Sequence, residues 1–118
     1  MKKFLYFAED PVETGGAGSN PEAILVPVDS YLGCDPISAT TTTFWFKSVG
    51  GRATREAVTL THGSGNNKTI ITNMMSIMNT GPHNDGFIVV ADSEVIGTTK
   101  AAVYNREFKG DVTAVAIA

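Results

Sequence analysis

The sequence predicts a mainly β domain with one helix, an α+β fold. Ile70, Ile71, Met74, Met75, Ile77 and Met78 recur at three- and four-residue spacing, the period of a helix with one apolar face. Runs of alternating character, rich in threonine, valine and aromatics, lie on both sides of that stretch. Glycine and proline fall between the runs, where the chain has to turn. A length of 118 residues holds a single domain, residues 1–118, with one modest core.

The first strand has Phe4, Tyr6 and Ala8 on one face and Leu5 and Phe7 on the other. Such two-sided apolar strands are central or covered on both faces. The two lysines before it resemble the start of a signal peptide, but the apolar run is short and acidic residues follow at once, so the segment reads as strand and not as a secretion signal. Residues 9–22, EDPVETGGAGSNPE, hold nothing that can form a core and read as a flexible or partner-contacting loop. Residues 23–32 are a second strand, which Pro27 confines to a sheet edge or a bulge. Gly33, Asp35 and Pro36 make a turn. Residues 37–49, ISATTTTFWFKSV, carry the longest β signal. Thr42, Phe44 and Phe46 share one face and are expected inward. Thr41, Thr43, Trp45 and Lys47 share the other, which places Trp45 outward or in a subunit interface, where tryptophan is enriched.

Gly50 and Gly51 turn the chain, with Arg52, Arg55 and Glu56 as a polar rim. Val58, Leu60 and His62 then line one face of a strand that Gly63 and Gly65 break. Asn66 or Asn67 caps helix 67–80, because a short side-chain oxygen accepts from an orphan amide at a helix start. Gly81 and Pro82 end the helix. Residues 83–86 turn into an apolar run, 87–91, of the kind buried on both faces. Residues 92–100 are a polar loop, 101–108 a further strand, and Gly110 and Asp111 a turn. Residues 112–118, VTAVAIA, are a last strand that completes the domain's own sheet or joins a neighbour's edge.

A net charge of −3 with scattered lysines and arginines argues against a broad nucleic-acid face, which needs concentrated basic residues. Cys34 is the only cysteine, so no intramolecular disulfide forms, and a lone thiol fits a reducing compartment such as cytoplasm. As a nucleophile it would need a base, and no motif around it supplies one. No stretch is long enough to span a membrane. The sequon Asn67-Lys68-Thr69 carries no weight in a chain with no secretion signal.

The most suggestive chemistry is HGSGNNKT, residues 62–69. A strand, a glycine turn, Lys-Thr and a helix is how a phosphate-binding loop is laid out. That pattern requires glycine directly before the lysine, where Asn67 stands, and the spacing from Gly63 is one residue short. A weak anion site at the helix start, built from Gly63, Ser64, Gly65, Lys68 and Thr69 and helped by Arg52 and Arg55, fits better than nucleotide hydrolysis. A plain connecting turn is the alternative that needs least. His62 and His83 flank the helix and would need a third ligand to hold a metal. The acidic residues sit mainly in loops without a catalytic spacing, and no cofactor is implied. Met74, Met75 and Met78 could form an adaptable binding surface, but core is the better reading because the strands need cover.

The opening MKKFLYFAE, the middle VTLTHGSGNNKTIITNMMSIMN, the strand GFIVVAD and the ending DVTAVAIA together resemble small proteins of ocean metagenomes and marine cyanophages. The resemblance implies an Sm-like fold, a small bent antiparallel barrel of SH3 type whose subunits pair edge to edge into rings, with helix 67–80 packed on the sheet. Two departures limit what carries over. Sm proteins place their helix first, and their paired uridine-gripping motifs are not recognisable here: Asp85-Gly86-Phe87 is no substitute, and Arg52 follows glycine rather than preceding it. The function expected is that of a non-enzymatic, phage-type structural protein that self-assembles through edge strands, in the virion or its assembly, with Trp45, Val112, Val115 and Ile117 at the interface. Its partners would be further copies of itself and other virion proteins, in the host cytoplasm or the assembled particle. The alternative is an Sm-like ring that binds RNA or a nucleotide, with Lys47, Arg52, Arg55 or Lys68 on phosphate and Trp45 or Tyr31 stacking on bases.

Overall fold

A computed structural model of the chain describes residues 3–8, 23–47, 55–80, 86–93, 98 and 101–117. In chain order the elements are β1 (Phe4–Ala8), β2 (Ala23–Pro27), a 3-10 turn (Val28–Ser30), β3 (Tyr31–Ser38), β4 (Thr41–Lys47), β5 (Arg55–Thr61), α1 (Asn67–Thr80), β6 (Phe87–Asp92), β7 (Val103–Tyr104), a second 3-10 turn (Arg106–Phe108) and β8 (Ala114–Ile117). The mainly β, single-helix architecture is the one the sequence predicts.

The strands form two four-stranded sheets, β2-β1-β6-β7 (sheet A) and β3-β4-β5-β8 (sheet B). Their alternation decides what is buried. Leu5 and Phe7 of β1, Ile88 and Val90 of β6, Phe44 and Phe46 of β4, and Val58 and Leu60 of β5 all turn into one common core. The rings of Phe7 and Phe46 meet there, centroids 5.7 Å apart, and join the two sheets. Helix α1 adds Ile70, Met74, Ile77 and Met78 from one stripe, so the methionine-rich face is core. Lys3 donates from Nζ to the carbonyl of Asn79 at 2.7 Å, placing a cation at the negative end of the helix.

Several expectations are corrected. Neither sheet closes on itself, and β1 runs parallel to β6, so a purely antiparallel barrel is not what these strands build. A parallel pair needs a long crossover, and here everything from β2 through α1 supplies it. Gly33, Asp35 and Pro36 do not turn the chain. They lie within β3, and the turn falls at Ala39 and Thr40. An edge strand tolerates this because Pro36 needs no ladder partner on its open side, and the register shifts at Tyr31/Gly33 and Pro36/Ser38 absorb the irregularity. Pro27 likewise ends the edge strand β2, as its missing donor demands.

Glu56 is not part of a polar rim. It sits on the inward face of β5 opposite Phe46 and is 1% exposed. The strand expected over 101–108 shrinks to Val103–Tyr104, with Asn105 turning the chain by accepting from the amide of Glu107. Phe87 is exposed, so β6 alternates rather than being buried on both faces. Val112, Val115 and Ile117, expected at an oligomer interface, point into the domain's own core, because β8 pairs antiparallel with β5 and closes the side of sheet B. His83, Arg52 and the loop 9–22 lie outside the described residues.

Candidate functional site

The turn between β5 and α1 was the sequence's best candidate, and the structure shows what each of its groups does. Gly63, Ser64, Gly65, Lys68 and Thr69 do lie together at the start of α1, with Lys68 and Thr69 exposed. Three backbone amides of the turn are already engaged. Gly63 N–H donates to Asp111 Oδ1 at 3.0 Å, Gly65 N–H to the carbonyl of Ala39 at 2.8 Å, and Asn66 N–H to the carbonyl of Gly63 at 3.2 Å. Asn66 Nδ2 donates to the second carboxylate oxygen of Asp111 at 3.1 Å. The position an anion would take is therefore held by a carboxylate of the protein itself. A Cβ at position 63 would stand 2.7 Å from Asp111 Oδ1 and 2.8 Å from Asn66 Nδ2, so a side chain there would push both groups aside. Gly65 supplies a φ of +78°, which side-chain-bearing residues rarely adopt.

The side-chain amide nitrogens of both asparagines donate to groups outside the helix. Asn67 Nδ2 reaches across to the β3–β4 hairpin and donates to the carbonyl of Ser38 (2.8 Å), the carbonyl of Thr41 (3.2 Å) and Thr42 Oγ1 (3.0 Å). Thr42 Oγ1 lies 2.9 Å from His62 Nε2, and His62 Nδ1 lies 2.9 Å from the carbonyl of Gly63. A carbonyl only accepts, so Nδ1 carries the ring proton and Nε2 accepts from the threonine hydroxyl. One consistent chain of donors results, from Asn67 to Thr42 to His62 to Gly63. A hydroxyl donating to histidine is also the first link of a nucleophile–base pair. Here Thr42 is fully buried and His62 is 4% exposed, so no substrate reaches it. The network is a pin that fastens the start of α1 to the hairpin. His62 follows Val58 and Leu60 inward, as its alternation predicts, but is more deeply buried than a half-covered strand residue.

No family model, curated protein or solved structure matches this chain. Its function is accordingly argued from the residues themselves.

Arg55 stands at the opposite end of β5 from this turn, about 20 Å away at strand rise. Its guanidinium lies 3.9 Å from the ring centroid of Trp45, and Lys47 is its direct cross-strand partner. Lys68 is thus separated from Arg55 and Lys47. Tyr31 faces inward, with its ring 5.7 Å from that of Phe46, and cannot stack on a base. Burial, and then the neighbouring Cys34 thiol, push the Tyr31 phenol well above its ordinary value of 10.0. Because the unfolded chain would lose that proton first, this group lowers stability as the pH rises above the unfolded value. Among the described residues no three His, Cys, Asp or Glu side chains are grouped to hold a metal, and no helix is long and apolar enough to cross a membrane.

Sequence reasoning missed Asp111, which it read as a turn residue. Nothing in the chain marks it, since its partners are 45 and 48 positions away. Its role is testable. Asp111→Ala should cost about 1–2 kcal/mol in chemical unfolding, and it should empty the anion position. Added sulfate should then raise the melting temperature of the variant more than that of the native protein; equal shifts would show that the turn does not select anions.

Proposed function

We propose that this protein is a non-enzymatic structural subunit that assembles with copies of itself, and that the outer face of sheet A is its principal assembly surface. One observation carries the proposal. Three adjacent strands present an uncharged apolar grid to the outside. Leu25, Tyr6 and Val89 form one cross-strand row, and Pro27, Phe4 and Phe87 form the next. Leu25 and Phe87 are 44% and 42% exposed, and the Tyr6 and Phe87 rings are 5.6 Å apart. Leu5 and Phe7 of β1 face the core, whereas Phe4 and Tyr6 on its other face are half-buried. Contiguous apolar surface on a folded domain marks an interaction site. These two rows carry no charged side chain, and a second copy brings a matching grid with the same strand spacing.

This reading moves the interface from where the sequence put it. Val112, Val115 and Ile117 are spent on the core, and Trp45 is half-buried on the far sheet. The edge strand β3 offers a secondary contact through Leu32 and Ile37, which are 52% and 61% exposed at the two register shifts. Bulges and proline are the devices by which edges resist pairing, so the sheet face takes precedence. A virion or its assembly is the setting that the cyanophage resemblance suggests. The ring-forming, RNA-binding alternative draws no support from the turn at 62–69, where the Asp111 carboxylate already sits against the Gly63 amide and the Asn66 side chain.

The test is the native mass by light scattering, with the absorbance ratio recorded across the same peak. A discrete multiple of the chain mass with a protein-like spectrum is expected. Leu25→Glu with Phe87→Glu should return it to a single chain while leaving the circular dichroism spectrum unchanged, since both side chains are exposed. A native protein that is already monomeric would end the proposal.

A further inference from the structure

Outside the surface just described, one group of side chains has no structural account. Lys47 and Arg55 are cross-strand partners at one end of the β4–β5 ladder, and both are exposed. Like charges directly opposite each other destabilise a sheet. Among the described residues, neither cation takes part in an ion pair. Trp45 lies two positions before Lys47 on the same face, flanked in register by Gly33, which has no side chain, and by Ala57, which has only a methyl. Arg55 rests over that ring at 3.9 Å, which orders the guanidinium without neutralising it.

We infer that Lys47, Arg55 and Trp45 form a contact site for the phosphodiester backbone of single-stranded nucleic acid, independent of self-assembly. The guanidinium offers a planar fork of donors that matches phosphate, and the ammonium supplies a second positive point beside it. An indole and a guanidinium together favour a nucleotide over an acidic peptide, because a base has a π face to set against them and a carboxylate side chain has none. The site is small, which agrees with a net charge of −3: it makes a local contact rather than a broad basic track.

Trp45 is the only tryptophan in the chain, so its fluorescence reports the site directly. The probe is a single-stranded oligothymidylate of about 15 nucleotides, enough to fill one such surface. Saturable quenching is expected, and a fourfold rise in salt should weaken binding about sevenfold, the slope for two phosphate contacts on a single strand. The double variant Lys47→Ala with Arg55→Ala should weaken binding at least tenfold and flatten the salt dependence. Arg55→Lys should keep the salt dependence while changing the Trp45 emission. Absence of quenching, or quenching unaltered in the double variant, would overturn the assignment. Equal quenching by polyglutamate or by inorganic phosphate would also overturn it, in favour of a general anion contact.

Discussion

Phe46→Ala should cost about 3–5 kcal/mol of folding stability, the range for truncating a fully buried aromatic side chain. Phe46 is 0% exposed and meets aromatic rings from both sheets: Phe7 of β1 and Tyr31 of β3, each with centroids 5.7 Å away. Removing it opens a cavity between layers that are held together chiefly by such contacts, and rigid strands on both sides cannot collapse to fill it. For a domain whose total stability is of order 5–15 kcal/mol, that loss shifts the urea midpoint far to lower concentration. Phe46→Leu, which keeps most of the volume, should recover over half of it. An alanine variant that loses less than about 1 kcal/mol would show that the two sheets do not meet at this ring.

Thr42→Val is the second large effect, and it tests the polar pin rather than the apolar core. The substitution preserves shape and deletes only the hydroxyl. It leaves the buried His62 Nε2 without its donor and takes one of three acceptors from the half-buried Asn67 Nδ2. A buried polar group left unpaired costs about 1–3 kcal/mol, so a loss in that range is expected. Thr42→Ser restores the hydroxyl and should recover most of it. Nitrogen chemical shifts of the imidazole provide the specific readout: the native protein should show the proton on Nδ1, held by the carbonyl of Gly63, and Thr42→Val should perturb the shift of Nε2. A valine variant as stable as the native protein would mean that the donor chain does not exist.

How much could be read in advance depended on how local the cause was. Helix 67–80 was legible because its apolar stripe repeats within the helix itself, and Phe44 and Phe46 were placed inward by alternation within one strand. Pro27 marked an edge because a missing N–H has the same consequence in any sheet. The turn at Gly33, Asp35 and Pro36 was misplaced because its residue types suit a bend, yet on an edge strand the bulges of β3 accommodate all three. Glu56 was misread as surface because its charge outweighed its alternation with Val58 and Leu60, which carries it inward opposite Phe46.

The candidate site shows the same division more sharply. The spacing HGSGNNKT correctly implied a tight turn leading into a helix, and glycine at position 63 was correctly read as part of it. Whether that turn was free to bind an anion depended on Asp111, a carboxylate brought in from 48 positions away by the pairing of β8 with β5. That same pairing turned Val112, Val115 and Ile117 from a projected interface into core. The apolar face of Tyr6, Leu25 and Phe87, and the cationic pair of Lys47 and Arg55, likewise exist only as strand register creates them. By itself, the sequence determined the fold class, the helix and the faces of the strands, because hydrophobic period and turn chemistry act over a few neighbouring residues. Only the tertiary structure decided which faces meet, which amides are satisfied and which apolar surface is left outward, because those depend on contacts between residues that the chain holds far apart.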